Sequence, residues 1–150
     1  MKAMLKTFKE LSNLELYDIL RLRSEIFVVE QQSIYNDPDG YDIDAYHLII
    51  EDNDSVVAAL RILPEKTRFE DISIGRLVVK KQYRGQGLAR NIMEIAIKFI
   101  INDLKKDTIR LSGQTYLSEF YTSLGFSKVS AEYLEDGIPH NEFLYENVIS

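Results

Sequence analysis

The sequence predicts an α/β (α+β) fold, with a mixed and largely antiparallel central sheet flanked by helices, in a single domain of residues 1–150. Two apolar runs, Tyr46–Glu51 and Val56–Leu63, are separated by Asp52-Asn-Asp-Ser55, which is typical of a β-hairpin. A third run, Ile72–Val79, leads through a glycine turn into an amphipathic helix over residues 87–104. A chain of 150 residues suits one domain that buries about two-thirds of its unfolded surface.

The N-terminal part is predicted to contain a short edge strand, residues 3–8, followed by a helix. Ser12 and Glu15 have the spacing of a capping box, in which each side chain accepts a hydrogen bond from the other residue's backbone N–H. Arg23 falls on the apolar stripe of this helix. Its charged group therefore either extends past the edge of the core into solvent, forms a structural ion pair or has a functional role. The apolar members of the stripe are Leu16, Ile19, Leu20 and Phe27.

Residues 33–45 are acidic and rich in turn-forming residues. Their D-x-D-G portion is similar to a calcium-binding loop, but the glutamate required at the twelfth position is missing. We interpret the segment as an acidic loop near an active site or, alternatively, as a solvated connection.

The C-terminal half is predicted to add a strand, a helix and two further strands. In chain order these are Thr108–Leu111, Tyr116–Leu124, Phe126–Val129 and Phe143–Val148. Gly125 follows the helix as its expected left-handed terminator. Residues 135–139 form a turn between the last two strands.

The composition excludes several kinds of site. No cysteine is present, so disulfides, thiol catalysis and thiolate metal ligands are ruled out. The histidines, His47 and His140, are far apart and lack helical spacing, and we expect no metal. A net charge of −6 disfavours nucleic acid as a partner and favours cationic partners such as amines. No apolar stretch suits a signal peptide or membrane span, which predicts a cytoplasmic protein without a membrane partner.

Residues 72–90 carry the most informative motif, a strand that runs into a glycine turn and then a helix. The turn has the spacing Gln82-x-x-Gly85-x-Gly87. Backbone N–H groups are unpaired at such a junction and lie at the positive end of the helix dipole, which suits phosphate oxygens. A local cluster of positive charge at the turn consists of Lys80, Lys81 and Arg84.

Two common phosphate loops do not fit this motif. A Walker-type loop needs lysine after the last glycine, where this chain has Leu88. A dinucleotide loop needs a third glycine at the position of Arg90. The remaining interpretations are the pyrophosphate loop of an acetyl-CoA-dependent N-acetyltransferase and a tight turn that binds no ligand.

A second motif, Phe120-Tyr-Thr-Ser-Leu-Gly-Phe126, follows the glycine turn by about thirty-five residues. Together the two motifs resemble the acetyl-CoA-binding core of the GNAT superfamily. Further segments resemble its ElaA-like branch, and the similarity covers nearly the whole chain. These segments are Leu22–Gln31, the acidic loop up to His47, Arg61–Leu63, Ile74–Arg76, Gly113–Gln114 and Glu135–His140. One departure is Asn-Glu-Phe143 after His140, where a methionine is expected near the third position.

The resemblance implies a GNAT-like fold that binds acetyl-CoA without a metal. The pyrophosphate would lie on backbone N–H groups around the glycines, where a Cβ would block close approach. The pantetheine arm would pair with the strand end at Leu77–Val79, and an N–H near Val79 would polarise the thioester carbonyl. The expected cofactor-binding residues are Leu77, Val78, Val79, Gln82, Arg84, Gly85, Gln86, Gly87, Leu88, Ala89, Arg90 and Tyr121.

The implied reaction is direct attack by a neutral primary amine, on a small molecule or a protein, within a ternary complex. Tyr121 matches the family position of the acid that protonates the leaving thiolate, and an ordinary phenol pKa of about 10 lies near that of a thiol. The expected base is Glu30 or His140, with His47, Asp42 and Asp44 as further candidates. Glu30 would act through water or, alternatively, hold Arg23 or Arg76.

Three alternatives stay open at this level. The fold could serve a non-catalytic module that binds an acyl-CoA and reports it to a partner. The donor could be a longer acyl-CoA. GNAT domains often pair through their C-terminal strands, so a homodimer is possible, and the ElaA-like branch implies no defined acceptor.

Overall fold

The computed structural model describes residues 1–147, within which eight strands form one sheet. The strands are β1 (Lys2–Thr7), β2 (Tyr46–Asp52), β3 (Ser55–Leu63), β4 (Ser73–Val79), β5 (Thr108–Gln114), β6 (Phe126–Lys128), β7 (Tyr133–Glu135) and β8 (Ile138–Glu146). Their order is β1-β2-β3-β4-β5-β8-β6, with β7 also paired to β8. Every pair is antiparallel except β4 with β5, which confirms the mixed, largely antiparallel sheet.

Three α-helices flank the sheet in residues 1–147: α1 (Asn13–Arg23), α2 (Leu88–Lys98) and α3 (Ser118–Ser123). The first two continue as π-helical turns, Ser24–Glu30 and Phe99–Asp103. The predicted capping box begins α1, because Ser12 Oγ accepts from the Glu15 N–H at 3.0 Å and Glu15 Oε1 accepts from the Ser12 N–H at 2.8 Å. Single 3-10 turns lie at Phe8–Glu10, Tyr41–Asp44, Lys81–Tyr83 and Thr115–Leu117.

The β2–β3 hairpin and the edge position of β1 are confirmed. The predictions for the strands that begin at Thr108 and Phe143 were too short. Strand β5 extends to Gln114 and β8 begins at Ile138, because the two strands pair continuously from Thr108 with Glu146 to Gln114 with His140. The predicted turn at 135–139 therefore shrinks to two residues, and Val148 of the predicted last strand lies outside the described residues.

Both faces of the sheet are covered, and alternation along β2 divides its side chains between two cores. Leu48 and Ile50 pack in the core that includes Ile92 of α2, whereas Ile49 packs in the core that includes Ile19 of α1. Each fully buried side chain of this kind contributes about 1.5–3 kcal/mol relative to an exposed one. The long apolar runs in the sequence follow from this covering of both faces.

Six charged residues form an ion network between α1, the loop over residues 33–45, β3 and β4. We call it the arginine–aspartate network, and its members are Arg23, Arg61, Arg76, Asp37, Asp39 and Asp42.

Arg23 is at the centre of the arginine–aspartate network and is 1% exposed. Its guanidinium donates to Asp37 Oδ2 at 2.7 Å and to both carboxylate oxygens of Asp42 at 2.9 and 3.1 Å. Burial alone would raise the pKa of Asp42, but the hydrogen bonds and charge of Arg23, with Arg61, hold that pKa below its usual value. This carboxylate therefore stabilises the fold at neutral pH and loses that contribution as the pH falls below about 4.

Arg61 and Arg76 anchor the rest of the loop. Arg61 donates to Asp39 at 2.8 and 2.7 Å and to Asp42 at 3.1 Å. Arg76 lies 3.0 Å from Asp37 and donates to Asp39 at 3.2 Å. The interpretation of this loop as a solvated connection is therefore wrong, since Asp37 and Asp42 are buried and paired.

Replacing Arg23 by methionine removes the positive charge opposite Asp37 and Asp42. We expect the free energy of unfolding to fall by about 3–5 kcal/mol, because two buried carboxylates lose a partner. Urea denaturation followed by circular dichroism measures this loss. Arg21→Met is the matched control on the same helix, since Arg21 is exposed and its pair with Glu25 contributes at most about 0.5 kcal/mol. A loss for Arg23→Met no larger than that of the control would contradict the prediction.

Candidate active site

A cavity of about 580 Å³ opens where β4 and β5 separate. The two parallel strands share one register position, Ser73 with Arg110. The pairing of β3 with β4 shifts register between Ala59 and Arg61, and Arg76 has φ +52, which marks a bulge that bends β4. Residues of both strands beyond that point line the cavity, so the opening results from the bulge.

The glycine turn borders one side of the cavity. Gly85 and Gly87 have φ angles of +80 and +78, a left-handed conformation in which glycine is unstrained. A Cβ added at either would meet no protein atom within 4 Å, so the backbone conformation and not local packing requires glycine. Gly87 is the N-terminal cap of α2, and its carbonyl accepts the Asn91 N–H at 3.0 Å. The N–H groups of the first turn of α2, before Asn91, are the ones that a helix leaves without a partner inside the helix.

Most of the expected cofactor-binding residues lie at this cavity. The residues that line it are Leu77, Val78, Val79, Arg84, Gly85, Gly87, Leu88, Ala89, Arg90 and Tyr121. Gln82 and Gln86 are exposed and are not among the lining residues. The side chain of Val78 is buried in the α1 core, so this residue can offer only backbone atoms to a ligand.

Tyr121 is held in place by aromatic packing on α3. Its ring centroid lies 5.3 Å from that of Phe120 and 5.1 Å from that of Phe143. A Cβ on Gly113 would lie 2.5 Å from Tyr121 Cε2, so the tyrosine occupies space that only glycine leaves open. Burial, with a smaller effect of Tyr116, raises the pKa of Tyr121. The phenol is therefore protonated at neutral pH, and its pKa lies further from that of a thiol than the sequence suggested.

Glu30 ends the π-helical turn after α1 and borders the cavity. Its Oε2 accepts from Arg84 Nη1 at 2.9 Å. The expectation that Glu30 holds Arg23 or Arg76 is therefore wrong, because those two guanidinium groups belong to the arginine–aspartate network. The pair of Glu30 with Arg84 connects this part of the cavity wall to the glycine turn.

His140 lies on β8, is 7% exposed and borders the cavity. Its Nδ1 is 2.7 Å from the carbonyl oxygen of Ile138, and its Nε2 is 3.5 Å from Glu135 Oε2. Arg68 and Ser112 Oγ both donate to Glu135 Oε1. We call Arg68, Ser112, Tyr133, Glu135 and His140 the polar cluster.

The other three base candidates do not border the cavity. His47 Nε2 is 2.8 Å from the Asp42 carbonyl oxygen, and burial lowers the pKa of this histidine. Asp42 is engaged in the arginine–aspartate network. Asp44 is exposed in the 3-10 turn. His47 is therefore a buried histidine that is hydrogen-bonded to the backbone, away from the cavity.

Sequence reasoning missed Arg68 and Ser112. Arg68 is in the charged connection between β3 and β4 and reaches Glu135, 67 positions further along the chain. No local pattern signals such a contact. Ser112 lies between the buried residues Leu111 and Gly113 on β5. Strand alternation places its side chain on the opposite face of the sheet from that of Leu111, and this was the one signal available in the sequence.

No cluster of three or more His, Asp and Glu side chains in residues 1–147 could hold a metal ion. Within the same range, no helix combines the length and apolar character needed to cross a bilayer. The buried carboxylates of Asp37 and Asp42 form ion pairs with Arg23, so they are already occupied by a cationic side chain.

Comparison with known proteins identifies the family. The family model described as an acetyltransferase (GNAT) domain matches residues 23–146. The chain is 38% identical to Protein ElaA of Escherichia coli over 133 residues, which cover 87% of each chain. It is 40% identical to a UPF0039 protein of Schizosaccharomyces pombe over 143 residues, which cover 94% of each.

Solved structures agree with the sequence relatives. The crystal structure of E. coli ElaA superposes with a TM-score of 0.90 at 34% identity and covers 97% of this chain and 100% of that one. An acyl-CoA N-acyltransferase from Pseudomonas aeruginosa gives a TM-score of 0.90 at 34% identity, covering 97% and 99%. The cavity between the separated strands and the glycine turn at the start of α2 thus occur in a chain that belongs to the GNAT acyltransferase family, with ElaA among its relatives.

Proposed function

We propose that this protein transfers the acetyl group of acetyl-CoA to a primary amine of a small molecule or a protein. One observation carries the proposal: the glycine turn, the separated strands and most of the polar cluster all line the same cavity. Such a cavity suits a ternary complex, because a phosphate-bearing donor and an amine can occupy it together. The negative net charge of −6 supports a cationic acceptor.

The glycine turn fits the pyrophosphate of a CoA thioester, which supplies an activated acyl group. The unpaired N–H groups at the start of α2 and the side chain of Arg84 would bind the phosphates. Beyond the bulge, β4 is separated from β5, which leaves room for an extended arm beside Leu77 and Val79. An N–H near Val79 would hydrogen-bond the thioester oxygen, and such a donor is typically worth about 3–4 kcal/mol in the transition state.

Two side chains would handle the protons. Tyr121 stays protonated at neutral pH, so it would donate a hydrogen bond to the leaving sulfur and then its proton. His140 would accept the proton of the attacking amine. Glu30 would act through water as the second base candidate, once its ion pair with Arg84 has opened.

Isothermal titration calorimetry with acetyl-CoA tests the cofactor site first, with ATP as the control for non-specific phosphate binding. We expect one-to-one binding of acetyl-CoA and none of ATP. A screen of amines with free-thiol detection then tests transfer. Absence of acetyl-CoA binding would refute the proposal. Binding without transfer to any amine class would favour the non-catalytic acyl-CoA-binding module, and a preference for longer acyl-CoAs would change the donor.

Replacing Glu30 by glutamine should strengthen acetyl-CoA binding by up to about fivefold at low salt, because the carboxylate no longer competes with phosphate for Arg84. The gain should shrink as salt screens the pair. Calorimetric titrations at two ionic strengths measure it. Glu25→Gln is the control, since Glu25 is similarly exposed but pairs with Arg21. Unchanged or weaker binding in Glu30→Gln would contradict this competition.

Replacing Tyr121 by phenylalanine should lower kcat by about 10²-fold or more while acetyl-CoA affinity stays within about threefold, because only the proton donor is lost. Steady-state kinetics with calorimetry separate the two effects. Tyr116→Phe provides the control, since Tyr116 also lines the cavity but is 75% exposed. Equal rates for Tyr121→Phe and the wild-type protein would rule out Tyr121 as the acid.

A further inference from the structure

We propose that Glu135 is a positioning residue that stabilises the protonated form of His140, so that the histidine can take a proton from the acceptor amine. The proposal rests on the proposed function for its catalytic role. The effect of the Glu135 charge on the protonation of His140 can be tested without an acceptor or acetyl-CoA.

The hydrogen bond at Nδ1 fixes which nitrogen of His140 is the base. The Ile138 carbonyl oxygen can only accept, so Nδ1 carries the hydrogen at 2.7 Å. The lone pair of the neutral ring is therefore on Nε2. This nitrogen is 3.5 Å from Glu135 Oε2, so the imidazolium that forms on protonation lies beside a carboxylate.

The β7–β8 hairpin sets this geometry. Its two-residue turn, Asp136-Gly137, has φ angles of +51 and +79, as in the tight turns that match the twist of paired strands. Tyr133 is the cross-strand partner of His140, and their rings stack with centroids 6.2 Å apart at 26°. Ser33 Oγ donates to the Asp136 carbonyl at 2.9 Å, which ties the turn to the acidic loop.

Glu135 is itself held from two other elements. Arg68, from the connection between β3 and β4, forms an ion pair with Oε1, and Ser112 of β5 donates to the same oxygen at 3.3 Å. Ser112 Oγ is also hydrogen-bonded to the Tyr133 hydroxyl. The second carboxylate oxygen, Oε2, is the one nearer to the imidazole. The charged groups on the elements around His140 are thus the carboxylate of Glu135, the guanidinium of Arg68 behind it and, two positions along β8, the carboxylate of Glu142, which is paired with Arg110.

The acceptor nitrogen forms a bond to the acetyl carbon, the carbon–sulfur bond breaks, and its electron pair leaves with the thiolate. The proton released by nitrogen passes to His140 Nε2, and the thiolate takes a proton from Tyr121. The imidazolium formed in this step lies beside the Glu135 carboxylate, with 3.5 Å between Nε2 and Oε2.

Nuclear magnetic resonance titration of the imidazole rings tests the coupling, because the chain has only two histidines and His47 serves as the internal reference. In Glu135→Gln, we expect the titration midpoint of His140 to move to lower pH by about one unit, because the carboxylate charge is gone. Glu142→Gln is the matched control: Glu142 is similarly exposed, lies on β8, and pairs with Arg110 instead of His140. An unmoved midpoint, or an equal shift in the control, would overturn the proposal.

Arg68→Met provides a second variant with the opposite sign. Removing the guanidinium leaves the Glu135 charge uncompensated, so the midpoint of His140 should move to higher pH. A purely structural loosening of the hairpin would not produce opposite shifts in the two variants. Shifts of the same sign would overturn the proposal, whereas unchanged His47 resonances in both variants verify that the fold is intact.

Steady-state kinetics distinguish the catalytic role of the Glu135–His140 pair from acyl transfer itself. In Glu135→Gln, the acidic limb of kcat/KM should follow the shifted His140 midpoint, with a rate at least about tenfold lower at the plateau. A His140→Asn variant that retains the wild-type rate would overturn the catalytic role of the pair while acyl transfer itself stands. Absence of acetyl-CoA binding in the wild-type protein would instead refute the proposed function.

Discussion

The separation of β4 from β5 is the constraint on which the rest of the structure depends. Parallel strands in the middle of a sheet normally pair along their length, but here one register position is shared and the strands then diverge. The bulge at Arg76 causes the divergence and leaves space in the interior of the protein. All other features of the site, from the glycine turn to the polar cluster, are arranged around that space.

The arginine–aspartate network connects this opening to the acidic loop. Arg76 is both the residue with left-handed backbone in β4 and a partner of Asp37 and Asp39. The cost of burying these charges is offset only while every partner is present. We therefore interpret the network as a support that keeps the bulge and the loop in one arrangement, and the loop in turn contacts the β7–β8 hairpin through Ser33.

Local patterns predicted the elements well because their causes are local. The capping box, the β2–β3 hairpin and Gly125 each depend on residues a few positions apart. Residues of the glycine turn likewise line the cavity. The same reasoning assigned Gln82 and Gln86 to the cofactor site, but both are exposed away from the lining, since the direction of a side chain in a turn depends on the folded chain around it.

The sequence by itself determined the fold class, the family resemblance, the glycine turn between β4 and α2 and the position of Tyr121 on a short helix. These features follow from periodicity, glycine spacing and short motifs. Only the tertiary structure decided that Arg23 pairs with Asp37 and Asp42, that Glu30 faces Arg84, and that His140 meets Glu135 beside Arg68. Several carboxylates are chemically equivalent in the sequence, and the folded backbone alone brings particular pairs within hydrogen-bonding distance.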